Sequence, residues 1–429
     1  MLRNFPKICL IFSLLVLSYT GFKSEIIFEG RNRDYYLIYY LLSIIFIILS
    51  IILFYLNNII KLYLIITIST ILICLYAIEG FISHYGKIDF IQLIKKSKMY
   101  SKETGKKFDT RSTITIYNEL KKTNKDIVFS IQPQLFKKEG IYSLSGISNS
   151  ETIFCNENGY QAFYKSDRYG FNNPDDQWDN KEIEYFLLGD SFVHGQCVNR
   201  PNDIASVLRT ISKKNAVNLG FRGLGPLQEY AILREYIRPG VKNILWFYYE
   251  NSDLMDLENN LEKPILKKYL TSENFSQNLV EKQKIIDALS KEELQRITLN
   301  HGKVSQFLKL YKLRTLVGNT FYTRNNIKPQ PAFKEILKKA KRLSNKNNSK
   351  LYFIYLPNYA RYKLNKIDPN YILVKKIVKD LKIPIIDIHD EVFSKVDDPI
   401  KLFPFRMNGH YTVDGYKKVS EKIFELIEN

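Results

Sequence analysis

Sequence motifs for binding metals, nucleotides or nucleic acids are missing from this 429-residue chain. Its four cysteines and five histidines show no CxxC or Cys/His spacing typical of a metal site. No GxxxxGK(S/T) or GxGxxG sequence follows the first predicted strand of the soluble part, as a phosphate-binding loop would require. A compact Arg-rich block is also missing. We therefore expect no metal, no cofactor and no nucleic acid partner.

The net charge of +19 is a strong bias in the composition, with 63 Lys and Arg against 44 Asp and Glu. A basic balance is typical of proteins that bind nucleic acid or an anionic membrane surface. Here the lysines are scattered through the whole chain among many Asn and Ile residues. The bias of an AT-rich genome explains this distribution better than a nucleic acid interface does.

Uncharged apolar runs are concentrated in residues 1–84, which predicts a transmembrane region. Residues 35–56, "YYLIYYLLSIIFIILSIILFYL", exceed the ~20 residues that a helix needs to cross a bilayer. Residues 62–83, "LYLIITISTILICLYAIEGFIS", form a second predicted span, in which the single charge is Glu79 near the end. Residues 8–22 are either a signal peptide or a short first span that is retained. The lipid bilayer is therefore the first predicted partner.

The orientation of the soluble part remains open from the sequence. Three crossings that start in the cytoplasm would place it outside, in a multi-pass protein of the bacterial inner (cell) membrane. Four lysines in residues 87–98 follow the last span, however, and the positive-inside rule favours the cytoplasm for them. Cys155 and Cys197 would form a disulfide in an oxidising compartment, or else are two unrelated thiols.

The soluble part changes in character near residue 180. Residues 85–180 are mixed and turn-rich, and we interpret them as a juxtamembrane accessory region. In 181–429, short apolar strands alternate with helix-like segments, which is typical of a parallel sheet covered on both faces. This pattern predicts a three-layer α/β/α domain of flavodoxin-like type, with a helical insertion at about 258–345. Its five strands are predicted at 183–189, 215–220, 243–249, 350–357 and 384–389.

Polar residues follow these strands directly, where ligands bind in parallel sheets. Ser191 comes after the first strand in "LLGDSF", as an exposed nucleophile or as a helix N-cap. Gly223 follows the second strand in "NLGFRGLGP", where it marks a turn or brings a backbone N–H to a ligand oxygen. Asn251 and Ser252 follow the third strand in "WFYYENSDL". His410, in "FRMNGHYTVDGY", lies in a loop before the last predicted helix.

These blocks, in this order, resemble the SGNH/GDSL hydrolase superfamily, whose motifs supply Ser, Gly, Asn and His. The resemblance covers about 180–429, and the wider sequence looks like that of membrane-attached bacterial members. It implies that Ser191 is the nucleophile, that His410 is the base and that the N–H of Gly223 donates to an oxyanion. The chemistry that it implies requires no cofactor or metal.

The third of these blocks, which follows the third predicted strand, departs from the family pattern. It usually reads Gly-Asn-Asp, whereas Ser252 stands at the expected asparagine here. Either Asn251, after a shift of one residue, or the Ser252 hydroxyl would then complete the oxyanion site.

The acid that usually orients the histidine is also missing from its place. The residue three positions before His410 is Met407, which cannot serve, and Asn408 is the predicted partner instead. An amide orients an imidazole but does not stabilise imidazolium as a carboxylate does, and in a serine protease Asp→Asn costs about 10⁴ in kcat. A backbone carbonyl or another carboxylate is the alternative. Asp387 and Asp390 qualify by location only. His194 is a second, less favoured candidate for the base.

Together these features predict a membrane-anchored serine esterase or O-acyltransferase that acts on O-acyl esters. O-acetyl groups of cell-envelope polysaccharide are the expected substrate, so the second partner is an ester-bearing small molecule or polysaccharide. Hydrolysis and acyl transfer use the same residues and are not separated by the sequence. The alternative is a catalytically weak binding or scaffold protein of the same fold, which Asn408 and Ser252 favour.

Overall fold

The computed structural model of the chain describes residues 2–27, 33–85, 88–137, 139–250, 252–299, 307–315 and 331–428. These residues belong to two compact units. One unit consists of residues 1–87 and 303–322, and the other of residues 88–302 and 323–429.

Three long apolar helices make up most of the first unit. They are α1 (Phe5–Gly21), which continues into a π-helical turn at Phe22–Ile27, α2 (Arg33–Tyr55) and α3 (Asn58–Tyr85). Each is long and apolar enough to cross a membrane, and the three helices cover the two spans predicted at 35–56 and 62–83 and the segment at 8–22. Where α1 packs against α2, the Ser13 and Ser50 hydroxyls lie 3.3 Å apart, because small residues let membrane helices approach closely.

In its described residues, the second unit contains ten strands in three sheets. Five strands come from the region before residue 180, and the other five form the central sheet. In chain order they are β1 (Val128–Phe129), β2 (Leu135–Phe136), β3 (Ile141–Tyr142), β4 (Glu151–Ile153), β5 (Phe163–Lys165), β6 (Ile183–Leu188), β7 (Ala216–Asn218), β8 (Val241–Tyr249), β9 (Lys350–Leu356) and β10 (Ile385–Asp387).

The helices of the second unit precede, connect and follow these strands. They are α4 (Ile88–Thr104), α5 (Thr113–Leu120), α6 (Ser191–His194), α7 (Ile204–Ser212), α8 (Pro226–Tyr236), α9 (Asp253–Leu261), α10 (Pro264–Thr271), α11 (Gln283–Leu299), α12 (Pro331–Lys346), α13 (Tyr359–Lys363), α14 (Tyr371–Asp380), α15 (Ile388–Glu391) and α16 (Val413–Glu428). Single 3₁₀ turns lie at Asp175–Asp179, Phe393–Lys395, Pro399–Leu402 and Pro404–Arg406.

The central sheet is parallel throughout, with the strand order β10-β9-β8-β6-β7. Numbered along the chain from β6, this is the order 2-1-3-4-5 of flavodoxin-like folds, whose ligand site lies at the switch point between strands 1 and 3. The five predicted strands are therefore confirmed, together with the predicted fold class. The switch point lies between β6 and β8, and Ser191 follows β6.

Residues of the central strands alternate between two apolar cores, which makes the domain three-layered. Phe186 and Trp246 contribute to the core that packs against α8, α12 and α14. Leu187 and Phe247, one position further along each strand, contribute to the core that packs against α7 and α16. Side chains of successive strand residues point to opposite faces, so a nearly continuous apolar run supplies both layers at once.

The region predicted as an accessory segment, 85–180, packs into the same unit as the central sheet. Its buried Tyr142, Phe171 and Trp178 belong to the apolar core on one face of that sheet. Within the predicted insertion at 258–345, the structure contains α10, α11 and most of α12.

A buried ion pair fixes the end of β8 beside the switch point. Glu250 accepts hydrogen bonds from the Arg361 guanidinium at 2.7 Å, the Asn358 backbone N–H at 2.7 Å and the Tyr355 hydroxyl at 2.9 Å. The two charged side chains are 0% and 4% exposed. The two charges compensate each other inside this network, where little water reaches them.

We predict that Glu250→Gln destabilises the protein by about 3–5 kcal/mol, because it leaves the Arg361 charge buried without a counter-ion. Thermal unfolding of the full-length protein in detergent, followed by tryptophan fluorescence, measures the effect. Glu391→Gln is the matched control, since its pair with Lys395 is exposed and should contribute less than about 1 kcal/mol. Equal unfolding midpoints for the two variants would contradict the prediction.

Candidate active site

Ser191 is the first residue of α6, directly after the turn that ends β6. The helix is capped by Asp190, whose carboxylate accepts a hydrogen bond from the Phe192 N–H at 2.9 Å. Gly189 makes this sharp turn possible, because an added Cβ would lie 2.4 Å from the Val193 side chain. Asp190 performs the capping, and the Ser191 Oγ, which lies 3.4 Å from the second Asp190 oxygen, also has a closer partner.

That partner is His410. The Ser191 Oγ lies 2.8 Å from His410 Nε2, and the other ring nitrogen, Nδ1, lies 3.0 Å from Oε1 of Glu157. The second oxygen of Glu157 accepts a hydrogen bond from the His410 backbone N–H at 2.7 Å. The imidazole also packs against the ring of Phe192, at 4.7 Å between centroids. The three side chains form a continuous carboxylate–imidazole–hydroxyl chain, the arrangement that activates a serine nucleophile.

Glu157 was not predicted from the sequence. It lies in the turn "CNENG" between β4 and β5, and the structure places it, rather than the predicted Asn408, at Nδ1 of His410. The Asn408 side chain is exposed. Gly409 allows the carboxylate to approach, because a Cβ at that position would lie 2.8 Å from Glu157 Oε2. The sequence therefore held one local sign that another group approaches His410 closely, namely the glycine directly before it.

A disulfide ties the Glu157 turn to the chain that follows the nucleophile. It joins Cys155 and Cys197, which resolves the alternative left open by the sequence. Asn158 adds a hydrogen bond from its amide to the Cys197 carbonyl at 2.9 Å, and Asn156 closes the turn by accepting from the Gly159 N–H. Glu157 and Ser191 thus lie on segments that are covalently connected beside the site.

An aromatic side chain of α4 connects the Glu157 turn with the loop that carries His410. The ring of Tyr100 packs at right angles against Phe405, which precedes His410, with centroids 6.1 Å apart. It also packs against Gly159, where an added Cβ would lie 2.3 Å from the ring. Tyr100 therefore contacts both the histidine loop and the acid turn.

The charges of Glu157 and His410 stabilise each other. Burial alone would lower the pKa of His410, but the Glu157 charge and hydrogen bond outweigh burial and raise it above the usual value. Burial likewise acts to raise the pKa of Glu157, but the His410 charge and its two hydrogen bonds bring it below the usual value. Glu157 therefore stays ionised at neutral pH and favours the protonated imidazole, as a triad acid does.

The loop that carries Gly223 packs against α6. The Arg222 N–H donates to His194 Nδ1 at 3.2 Å, and Gly220 lies so close that a Cβ would be 2.6 Å from the His194 backbone nitrogen. Gly223 has a φ of +74°, and the amide of Gln132 lies beside it, 3.0 Å from the position of a Cβ. The loop predicted to supply an oxyanion donor is thus next to the nucleophile helix, together with an amide that the sequence did not reveal.

The third predicted block is only partly described. Asn251 lies outside the described residues. Ser252 is the N-cap residue of α9 without a side-chain capping hydrogen bond, and its side chain is half-buried. The next residue, Asp253, is buried and accepts a hydrogen bond from the Tyr249 N–H at 2.9 Å. The role of Asn251 or Ser252 as oxyanion donor stays a prediction.

The remaining candidates have other partners. His194 is fully buried, and its pKa is lowered well below the usual value by burial and by the Arg222 and His410 charges. It stacks on Phe221 with centroids 4.4 Å apart, which is a structural role. Asp387 and Asp390 both pair with Lys375, at 2.5 and 3.1 Å.

The chain matches no protein-family model and no curated protein. Among solved structures it is similar to a protein from Desulfitobacterium hafniense described as lipolytic and of the G-D-S-L family, with 14% identity and a TM-score of 0.33 over 57% of this chain and 100% of that one. A lipolytic G-D-S-L family member from Veillonella parvula has the same identity and TM-score, over 58% and 99%. A Bacillus subtilis protein is similar at 10% identity and a TM-score of 0.32, over 58% and 56%. At these values, residue roles in this chain rest on its own geometry.

We predict that Glu157→Gln lowers the pKa of His410 by about one pH unit or more, because the amide keeps the shape but removes the counter-charge. Titration of the full-length protein carrying ¹³C-labelled histidine, followed by NMR, measures this value, with His410→Ala to assign the signal. Asn408→Ala should leave the titration unchanged. A Glu157→Gln protein that titrates at His410 like the wild type would show that the ion pair is not formed in solution.

Proposed function

We propose that the chain is a membrane-anchored serine esterase or O-acyltransferase that acts on O-acyl esters. The observation that carries the proposal is the chain of hydrogen bonds from Glu157 through His410 to the Ser191 hydroxyl. A serine hydroxyl is a weak nucleophile unless an adjacent base takes its proton, and a third group must orient that base. The alternative of a weakly active scaffold was favoured by Asn408 and Ser252, and Glu157 answers the first of these two reasons.

The first step is attack of Ser191 Oγ on the ester carbonyl while His410 Nε2 accepts the hydroxyl proton. Glu157 holds the tautomer that carries hydrogen on Nδ1 and stabilises the imidazolium that forms. The imidazolium then gives its proton to the leaving alcohol, and an acyl-serine remains. Water or a sugar hydroxyl attacks this ester with His410 again as the base, which returns Ser191 and releases an acid or an acylated sugar.

The oxyanion of the tetrahedral intermediate requires donors on the side of Ser191 that faces away from His410. We assign the first donor to the Ser191 N–H, which lies in the first turn of α6, where N–H groups have no intrahelical acceptor. We assign the second donor to the N–H of Gly223, and the third to Asn251 or Ser252. The Gln132 amide, beside Gly223, is a further group of the right chemistry.

We also propose that the catalytic unit faces the outside of the cytoplasmic membrane. The disulfide beside the active site supports this orientation, because disulfides persist in oxidising compartments and are rare in the cytosol. The four lysines in 87–98 argue the other way, but lysine is common throughout this chain. An enzyme anchored there would meet O-acetyl esters on cell-envelope polysaccharide, which we take as the substrate class.

We predict that Ser191→Ala and His410→Ala each abolish hydrolysis of 4-nitrophenyl acetate by the full-length protein in detergent. A fluorophosphonate probe should label the wild type in equimolar amount and leave Ser191→Ala unlabelled, because only an activated serine reacts. Ser212→Ala is a suitable control, since its hydroxyl donates to the Leu208 carbonyl inside a helix.

Two results would separate the rival functions. Labelling of Ser191 without turnover of any ester would favour a transferase that excludes water, and acylation of added polysaccharide would identify it. If wild type and Ser191→Ala share one background rate and neither is labelled, the protein is a binding or scaffold protein.

We predict that reductant adds two reactive thiols to the denatured protein purified from its native membrane. Before reduction only Cys9 and Cys74 should react with a polyethylene glycol maleimide, because Cys155 and Cys197 are bonded. Counting the gel-shifted adducts before and after reduction measures the difference. The Cys155→Ala variant should expose Cys197 without reductant. If reductant adds no adducts to the wild type, the proposed orientation loses its support.

A further inference from the structure

The single charge in the span predicted at 62–83, Glu79, is fully buried and has a specific partner in the first unit. One of its oxygens accepts from the Lys312 backbone N–H at 3.0 Å, and the other from the Leu313 N–H at 2.8 Å. These N–H groups belong to the first turn of a short helix at 311–315, where such groups have no intrahelical acceptor. The carboxylate of a membrane helix thus caps a helix that lies more than 230 residues later in the chain.

Two more contacts fix the described segment 307–315, "FLKLYKLRT", on α3. The Tyr76 hydroxyl donates to the Leu308 carbonyl at 3.1 Å, and the Tyr76 ring lies 5.4 Å from that of Phe307. Phe307 also packs against Gly80, where a Cβ would lie 3.7 Å from the ring, an ordinary van der Waals distance. The segment is therefore bound along one helical turn of α3, between Tyr76 and Gly80.

From its length and charges, we expect that turn of α3 to lie where a bilayer meets water. The helix has 28 residues, which at ~1.5 Å per residue is about 42 Å, longer than the ~30 Å hydrocarbon core. Lys61 and Glu79 are the charged residues near its two ends, and the uncharged stretch between them matches the core. We therefore expect residues 76–80, and the segment bound to them, to lie at the interface.

The outward side of segment 307–315 has the composition of an interfacial element. Leu308 and Tyr311 are 61% and 49% exposed, and exposure of such side chains to water is unfavourable. Lys309 and Arg314 are exposed beside them, and the Lys312 ammonium lies 6.0 Å from the Tyr311 ring. Apolar and aromatic side chains flanked by basic ones are typical of segments that lie in the plane of a membrane surface.

We propose that residues 307–315 form an interfacial membrane-binding element, held by Glu79, that inserts Leu308 and Tyr311 between lipids and binds the phosphate groups of anionic phospholipids through its basic side chains. This element would add a second membrane contact to the three apolar helices of the first unit. The proposal is independent of the esterase chemistry, since none of these residues belongs to the Ser191 site.

Depth-dependent quenching tests the proposal on the full-length protein in lipid nanodiscs. Leu308→Trp adds one indole to a protein with two native tryptophans. These are Trp178 and Trp246, which are both buried in the second unit. Lipids brominated along the acyl chain should quench the added emission roughly twofold, because interfacial segments reach 5–10 Å into the headgroup and acyl boundary. Leu364→Trp is the matched control, since Leu364 is 69% exposed in the second unit.

Charge reversal tests the choice of lipid. Quenching at position 308 should increase when phosphatidylglycerol replaces part of the phosphatidylcholine, and Lys309→Glu with Arg314→Glu should remove this dependence. Equal quenching of the Leu308→Trp and Leu364→Trp proteins would overturn the insertion. A quenching signal that is indifferent to both lipid charge and charge reversal would overturn the binding of anionic headgroups.

Discussion

The proposed chemistry depends on the contact between the carboxylate of Glu157 and the imidazole of His410, which lie 253 residues apart in the chain. Without the carboxylate, burial would favour a neutral imidazole whose orientation is not fixed, and the Ser191 hydroxyl would have no defined acceptor. Several features converge on this contact. Gly409 leaves room for the carboxylate, the disulfide holds its turn, and Tyr100 packs against both loops. The region before residue 180 is therefore part of the proposed catalytic machinery.

The sheet explains why the other two members of the triad come together. In a parallel sheet all strands end at one edge, and the order 2-1-3-4-5 leaves a crevice between β6 and β8. Ser191 follows β6 directly, and the loop after β10 carries His410 back over the same edge. The sequence pattern alone predicted this arrangement of Ser191 and His410. Buried parallel strands appear as continuous apolar runs, and only a few residues directly after each strand are candidates for the site.

Glu157 escaped prediction for a physical reason. It lies between two short strands of a turn-rich region, where no periodicity assigns an edge or a face, and its partner is distant in the chain. Asn408 was chosen because sequence reasoning searches near the histidine, whereas a triad acid is defined by space and not by sequence distance. Cys155 and Cys197 held the missing information, since their disulfide brings residue 157 to the nucleophile. Their pairing could not be derived from two thiols with no geometric constraint.

Two carboxylates, Glu79 fully buried and Glu157 partly exposed, illustrate how this chain joins distant segments. Glu79 in the first unit and Glu157 in the second each accept hydrogen bonds from backbone N–H groups of a segment more than 230 residues later. A desolvated carboxylate is costly until its oxygens find donors, so each one selects a single arrangement of the segment that satisfies it. At Glu79 the donors are two backbone N–H groups, which leaves only a structural role. At Glu157 one donor is a titratable ring that also contacts a hydroxyl, and the same physical requirement yields a site that can move a proton.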